Sequence, residues 1–209
     1  MRLLSPDSRF FQAVSKAADL VLVNLMVVLL SLPVVTAGAA VAGSYRSVTE
    51  MVTDSGSHPV RTMLIGFKQT FVRATAVWSG FLGLAVLLWW EWSVAGRLAN
   101  PLLARGWQVL VLLVGLLTAI TMLWYLPLVS SSDKGVLPLL KASLLAAIRY
   151  LPRTAMGLWF FLTGPILVVL SPAAAPAALV FALLVGPALC CYLFAVMIHT
   201  VRERVAQAA

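Results

Sequence analysis

The stretch from Leu20 to Tyr45 reads LVLVNLMVVLLSLPVVTAGAAVAGSY and contains no Asp, Glu, Lys or Arg. A helix needs about 20 consecutive apolar residues to cross a bilayer, and an ionisable side chain at the bilayer centre costs roughly 2.5 to 3.5 kcal/mol. The stretch therefore predicts membrane-embedded helix. Pro33 lies in its middle and interrupts helical hydrogen bonding, so the stretch is either one kinked helix or two helices joined by a turn.

The composition of the whole chain also indicates a membrane protein. Of its 209 residues, 62% are hydrophobic and 11% are charged, and the mean hydropathy is +1.00. Soluble domains have roughly 45–50% apolar and 25% charged residues. Because a soluble chain needs more polar surface to cover its core, this composition excludes a soluble enzyme, a disordered tail and a nucleic-acid-binding domain. The net charge of +8 is better explained by membrane topology than by nucleic acid.

Three further stretches are free of charged residues, namely 74–90, 106–132 and 154–201. The last is too long for one span, and two prolines interrupt it in the segment Ser171-Pro172-Ala173-Ala174-Ala175-Pro176. We expect it to divide into a helix from about Thr154 to Leu170 and another from about Ala177 to Val201.

The distribution of Lys and Arg distinguishes the two interpretations of Pro33. If the first stretch crosses once, the two sides of the membrane carry 10 and 5 of the 15 basic residues; if it enters and returns, they carry 13 and 2. Cytoplasmic loops are enriched in Lys and Arg, so we favour a helical hairpin. Its arms run from about Phe10 to Leu32 and from about Ala37 to Met51, with a turn at Pro33–Thr36. This predicts an all-α bundle of six membrane segments with both termini in the cytoplasm; a single kinked span, giving five crossings, is the alternative.

Two connections on the predicted cytoplasmic side have the apolar periodicity of amphipathic helices. The first has apolar residues at Val60, Met63, Leu64, Phe67 and Phe71, and the second at Leu137, Leu140, Leu144, Leu145, Ile148 and Leu151. We expect two interfacial helices that either rest on anionic lipid or dock a cytoplasmic partner. The basic residues available for these contacts are Arg61, Lys68, Arg73, Lys141, Arg149 and Arg153. The order of elements predicts one domain over 1–209 with an internal repeat of residues 59–132 and 134–201, although chance similarity among apolar residues is a competing explanation.

No arrangement of side chains in the sequence is typical of a catalytic, metal or cofactor site. His58 and His199 lack the spaced carboxylate or cysteine partners of a triad or a metal centre. A glycine loop that cradles nucleotide phosphates is also missing from the sequence. We therefore expect no cofactor and no enzyme activity; a membrane enzyme would have to use Glu50, Glu91 or His58.

The first stretch also carries a motif, in which Asn24-Leu25 is followed by Leu30-Ser31-Leu32-Pro33-Val34-Val35-Thr36-Ala37-Gly38. On these residues the chain resembles the YesL-like family of bacterial integral membrane proteins. Many members have Pro after the motif glycine, where this chain has Ala39. We interpret the motif as structural: Pro33 ends one helix, Thr36 caps the next through its hydroxyl, and Gly38 permits close packing. The motif residues concerned are Asn24, Ser31, Leu32, Pro33, Thr36 and Gly38.

The resemblance implies a location in the bacterial cytoplasmic membrane but no defined activity. Genes of the family often lie beside those for carbohydrate uptake transporters and glycoside breakdown. We therefore expect an accessory or regulatory component associated with carbohydrate uptake, with membrane lipids and a carbohydrate transporter complex as partners and no nucleic acid. A small independent carrier or channel is the alternative, and a membrane enzyme is the third possibility.

Overall fold

A computed structural model describes residues 9–53, 58–171, 173 and 175–208. This part of the chain contains helices and no strand, which confirms the predicted all-α class. The helices are α1 (Arg9–Leu30), α2 (Ala37–Val52), α3 (Pro59–Ala95), α4 (Pro101–Val129), α5 (Val136–Arg149), α6 (Leu151–Leu170), α7 (Ala175–Leu184) and α8 (Gly186–Ala208), and a short 3-10 turn at Val34–Thr36 precedes α2.

Among these described residues, helices α3, α4 and α6 are each long and apolar enough to cross a membrane. A fourth crossing is available if α7 and α8, which are bent by 64° relative to each other, form one broken span. These apolar helices indicate a membrane protein. The six predicted crossings are not confirmed, since α2 has only 16 residues and a crossing needs about 20.

The break predicted at Pro33 is present, and it separates two helices rather than kinking one. Helix α1 ends at Leu30 and α2 begins at Ala37. Helices α1 and α2 also contact each other, as the hairpin interpretation requires.

The first amphipathic segment is not the separate interfacial helix that the sequence predicted. It is the first part of α3, which continues without a break through the apolar stretch 74–90 to Ala95. Met63 of this segment is fully buried, and Val60, Leu64 and Phe67 are half-buried, whereas Phe71 is exposed. The periodicity correctly indicated a helix, but the partner that covers its apolar side is another helix.

Helices α2 and α3 run antiparallel and approach closely through glycine. A Cβ atom added to Gly43 would lie 2.8 Å from the carbonyl oxygen of Met63 and 2.9 Å from the backbone nitrogen of Phe67. The Ser47 hydroxyl donates to the carbonyl oxygen of Pro59, the first residue of α3, at 2.8 Å. Small residues at such a crossing let two backbones approach, which strengthens van der Waals contact inside a membrane.

The second amphipathic segment is a separate helix, α5, as predicted, but it buries a different face. Its buried residues recur at helical spacing and are mostly small: Leu139, Ala142, Ser143, Ala146 and Ala147. Several residues of the predicted apolar face are exposed instead, namely Leu137, Leu145, Ile148 and Leu151. These exposed side chains agree with the interfacial interpretation, in which lipid or a partner covers the apolar face, and the contacts with other helices are made mostly by small residues that permit close approach.

The apolar stretch 154–201 divides at the predicted place, since α6 ends at Leu170 and α7 begins at Ala175. The helix expected from Ala177 to Val201 is, however, broken again at Val185. Pro187 supplies the physical reason, because it has no N–H to donate to the carbonyl oxygen of Leu183. The predicted internal repeat stays a prediction.

The centre of the bundle is an aromatic contact between α4, α6 and α8. The Trp124 and Phe194 rings meet edge to face with centroids 5.8 Å apart, and both side chains are fully buried. The Trp124 indole Nε1 donates to the Thr154 hydroxyl at 2.9 Å. Gly157 leaves room for Phe194, since an added Cβ would lie 2.5 Å from its ring.

We predict that Gly43→Ala lowers the thermal stability of the detergent-purified protein, because the new methyl group overlaps backbone atoms of α3 that have no side-chain freedom to move away. The expected loss is roughly 1 to 3 kcal/mol, measured as a lower unfolding midpoint. Gly80→Ala is the matched control on α3, because nothing lies within 4 Å of its added Cβ. Equal midpoints for the two variants would contradict the close crossing of α2 and α3.

Candidate functional site

The structure places the motif residues Pro33, Thr36 and Gly38 around the turn between α1 and α2. Gly38 lies against α3, where an added Cβ would be 2.5 Å from the Cβ of Trp78. The Trp78 indole Nε1 in turn donates to the carbonyl oxygen of Val34 at 2.8 Å. These two contacts attach the turn to α3.

The expected capping role of Thr36 was wrong. Its side chain makes no capping bond to α2; its hydroxyl instead donates to the carbonyl oxygen of Leu30, and its backbone N–H donates to that of Pro33 at 2.9 Å. Thr36 already has helical backbone angles, with φ −89° and ψ −5°, whereas a capping residue adopts extended angles. Thr36 therefore satisfies the carbonyl of Leu30 at the end of α1 through its hydroxyl and the carbonyl of Pro33 in the turn through its N–H. Ser31 is half-buried beside them, and Leu32 is 73% exposed.

Asn24 connects α1 to the break between α7 and α8. Its side chain is fully buried. The amide Nδ2 donates to the carbonyl oxygens of Ala182 at 3.0 Å and Leu183 at 2.8 Å, and the backbone N–H of Ala188 donates to Oδ1 at 2.9 Å. The carboxamide thus provides hydrogen-bond partners for backbone groups near the end of α7 and near the start of α8. The sequence placed Asn24 in a motif interpreted as structural but contained no signal for its partners, which lie 158 to 164 residues away.

The predicted basic contact residues fall into three groups. Arg61 and Lys68 are exposed on the first part of α3, and Arg73 is half-buried further along the same helix. Lys141 and Arg149 are exposed on α5. The third group lies around the Tyr150 ring, whose centroid is 5.9 Å from the guanidinium carbon of Arg149 and 5.6 Å from that of Arg153. The structure therefore brings Arg149 and Arg153 together at the junction of α5 and α6.

Arg73 is a structural contact rather than a free cation. Its Nη1 donates to the carbonyl oxygens of Ser132 at 2.9 Å and Lys134 at 3.0 Å, and its Nη2 lies 3.5 Å from a carboxylate oxygen of Asp133. The Asp133 side chain is fully exposed, so this ion pair contributes little by itself. The carbonyl bonds attach α3 to the connection between α4 and α5.

A polar cavity of about 600 Å³ opens beside Arg73, between α2, α3 and the end of α4. The Arg46 guanidinium donates to Oε1 of Gln69 on one side of it, and the Glu50 carboxylate accepts a hydrogen bond from Thr62 at 2.8 Å. The guanidinium groups of Arg46 and Arg73 balance the charge of two carboxylates, those of Glu50 and Asp133. Serine and threonine hydroxyl groups also line the cavity. Such a lining offers both donors and acceptors, which suits a hydroxyl-rich or zwitterionic ligand better than a simple anion. The lining residues are Arg46, Thr49, Glu50, Gln69, Thr70, Arg73, Val129, Ser130, Ser131, Ser132 and Asp133.

Sequence reasoning missed this cavity, although it identified Arg73 as a contact residue. Arg46, Gln69 and Ser131 lie on different helices or connections, and no spacing along the chain relates them. The available signal was the set of polar residues at the ends of the charge-free stretches, where helix termini meet.

The described side chains contain no group of three or more His, Cys, Asp or Glu residues placed to hold a metal ion. The three residues that a membrane enzyme would have to use, Glu50, Glu91 and His58, do not lie together. Glu91 accepts a hydrogen bond from the Trp107 indole at 3.1 Å near the far end of α3, whereas Glu50 lines the cavity. His58 is exposed immediately before α3.

The comparison with protein families agrees with the position of the motif. The model of a family described as a protein of unknown function, DUF624, matches residues 20–92, which comprise the second half of α1, all of α2 and nearly all of α3. No curated protein and no solved structure matches the chain. The similarity is therefore to a family of unknown function, over the part of the chain that contains the hairpin and its helix partner.

We predict that Asn24→Leu lowers the free energy of unfolding by roughly 2 to 4 kcal/mol, because it leaves two carbonyl groups and one N–H buried without a partner. Adding Pro187→Ala restores an N–H that can donate to Leu183, so the double variant should regain part of the loss. Unfolding in detergent, followed by intrinsic fluorescence, measures both effects. Thr163→Val is the control, since that hydroxyl bonds only within its own helix. A double variant no more stable than Asn24→Leu would contradict this account of the break.

We also predict that Arg73→Met speeds hydrogen exchange of the backbone amides between residues 131 and 136 by about tenfold, because the connection loses its bonds to α3. Lys68→Met removes an exposed positive charge from the same helix and serves as the control. If the two variants exchange at the same rate in this segment, Arg73 does not hold the connection.

Proposed function

We propose that this chain is a non-enzymatic multi-pass protein of the bacterial cytoplasmic membrane and acts as an accessory or regulatory subunit of a carbohydrate uptake transporter. The observation that carries the proposal is the exposed surface of α5 and the start of α6. Basic side chains and large apolar side chains alternate there: Lys141, Leu145, Ile148, Arg149 and Leu151 are all exposed. Such a mixed surface is typical of contacts in which apolar anchors give affinity and charges give orientation.

The orientation in this proposal places the α5 end in the cytoplasm. With both chain termini on that side, it carries 13 of the 15 Lys and Arg residues, in keeping with the enrichment of basic residues in cytoplasmic loops. A cytoplasmic partner, such as the ATP-hydrolysing subunit of an uptake system, would meet this end first. The association with carbohydrate uptake rests on the resemblance to the YesL-like family.

The polar cavity and the broken α7–α8 helix favour a second candidate, a small independent carrier. Broken membrane helices whose ends are satisfied by polar side chains line substrate sites in several transporter folds. The cavity lining is suited to hydroxyl groups, which is compatible with a sugar. Under this alternative, proteoliposomes that contain the protein alone would take up an oligosaccharide.

The test of the leading proposal is copurification from mild detergent. We expect the tagged protein, from cells grown on complex glycans, to recover transporter permease or ATPase subunits in stoichiometric amount. Lys141→Gln combined with Arg149→Gln should lower that recovery several-fold. Arg97→Gln combined with Arg105→Gln is the control. It removes the same charge from exposed residues, one after the end of α3 and one near the start of α4, and should leave recovery unchanged. Recovery of the protein alone, together with oligosaccharide uptake by proteoliposomes, would replace this proposal by the carrier.

A further inference from the structure

The turn between α1 and α2 ends in an exposed apolar tip. Leu32 is 73%, Val34 61% and Val35 50% exposed, and Pro33 between them is also exposed. No charged residue lies within the stretch from Leu20 to Tyr45 that contains the tip. The described part of the chain offers no protein surface that covers these side chains, so their surroundings must be supplied from outside the bundle.

The contacts of the tip with α3 define how far it reaches along that helix. Gly38 and Val34 both meet Trp78. At a rise of 1.5 Å per residue, Trp78 lies about 8 Å beyond Arg73, the last charged residue before the apolar stretch of α3. It lies about 18 Å short of Trp90, near the other end of that stretch. The tip is therefore level with the first part of the apolar layer and not with its far side.

Several backbone groups of the turn have partners within the protein, which lowers the cost of placing the turn in lipid. The carbonyl oxygens of Leu30 and Pro33 accept hydrogen bonds from Thr36, and that of Val34 accepts one from Trp78. Unsatisfied backbone groups cost several kcal/mol each in hydrocarbon, so a lipid-exposed turn is tolerated only with such internal partners. Thr36 and Trp78 thus supply partners for three carbonyl groups at the tip and beside it.

The other end of α2 has the opposite character. Arg46 bonds to Gln69 and Glu50 bonds to Thr62, and both partners lie on α3 before Arg73. If α2 crossed the whole bilayer, these charged side chains would have to lie in or near its apolar layer. With 16 residues, α2 extends about 24 Å, less than the hydrocarbon core of about 30 Å.

We propose that α1 and α2 form a re-entrant hairpin, whose tip at Leu32–Val35 inserts into the acyl chains of one leaflet and whose arms enter and leave through the same face. Four segments then cross the membrane: α3, α4, α6 and the bent pair α7–α8. The hairpin keeps both its ends on the basic side, so the 13-to-2 distribution of Lys and Arg is unchanged. This inference depends on the membrane location of the apolar helices and is independent of the partner proposed above.

Nitroxide depth measurement tests the proposal in the full-length protein. The protein, with Cys190→Ala and Cys191→Ala as background, is reconstituted in vesicles of phosphatidylethanolamine and phosphatidylglycerol. Single labels at Leu32→Cys and Val34→Cys are compared with a ruler of exposed α3 positions: Lys68→Cys, Ser79→Cys, Val86→Cys and Trp90→Cys. Depth is the ratio of label accessibility to oxygen over accessibility to a water-soluble nickel chelate.

We expect the tip labels to match Ser79→Cys, with a several-fold higher oxygen-to-nickel ratio than Lys68→Cys. The ratio is highest at the bilayer centre and falls towards both surfaces, so a tip ratio as low as that of Lys68→Cys or of Trp90→Cys would place the tip at a membrane surface and overturn the proposal. All labelled positions are exposed, so each variant is expected to fold, and each must elute from detergent as the unlabelled protein does before depth is read.

Discussion

The structure depends most on the buried carboxamide of Asn24, which joins the first helix to the break between α7 and α8. Pro187 leaves the carbonyl of Leu183 without its helical donor, and in an apolar environment such a group must find another partner. Asn24 supplies two donor contacts and one acceptor contact from a single side chain. The break and α1 therefore stabilise each other. Without this contact, both the Asn24 carboxamide and the backbone groups at the break would lie in hydrocarbon without a hydrogen-bond partner.

The remaining helices are placed around that connection by small residues and aromatic rings. Gly43 allows α2 to lie against α3, and Gly157 allows the Phe194 ring to pack between α4 and α6. Arg73 then attaches the connection after α4 to the middle of α3. These contacts divide the molecule into two ends. One end collects the polar cavity, the basic surface of α5 and the charged half of α2, whereas the other presents the apolar helices and their tryptophans, Trp89, Trp90 and Trp92.

Local patterns predicted the helices well where the deciding signal was a helix breaker or the absence of charge. The break at Pro33 and the division between Leu170 and Ala175 were both visible as prolines in apolar stretches. The errors arose where the decision depended on a partner. The amphipathic segment after Pro59 joins the following apolar stretch into one helix, and Thr36 bonds back to the end of α1 instead of capping α2. Periodicity identifies an amphipathic helix, but it does not identify which surface a neighbouring helix covers or whether a following span continues the same axis.

The sequence by itself determined the class of the protein: a hydrophobic, basic, all-helical membrane chain with a turn in its first apolar stretch. Those properties follow from composition and from single-residue chemistry, because the transfer free energy of a charge and the missing N–H of a proline do not depend on distant residues. Only the tertiary structure decided the partners of Asn24, the cavity around Arg46 and Arg73, the face that α5 buries and the level of the Pro33 turn against Trp78. Each of these joins residues that are far apart in the chain, and such contacts are selected by the fit of whole helices, which no local pattern encodes.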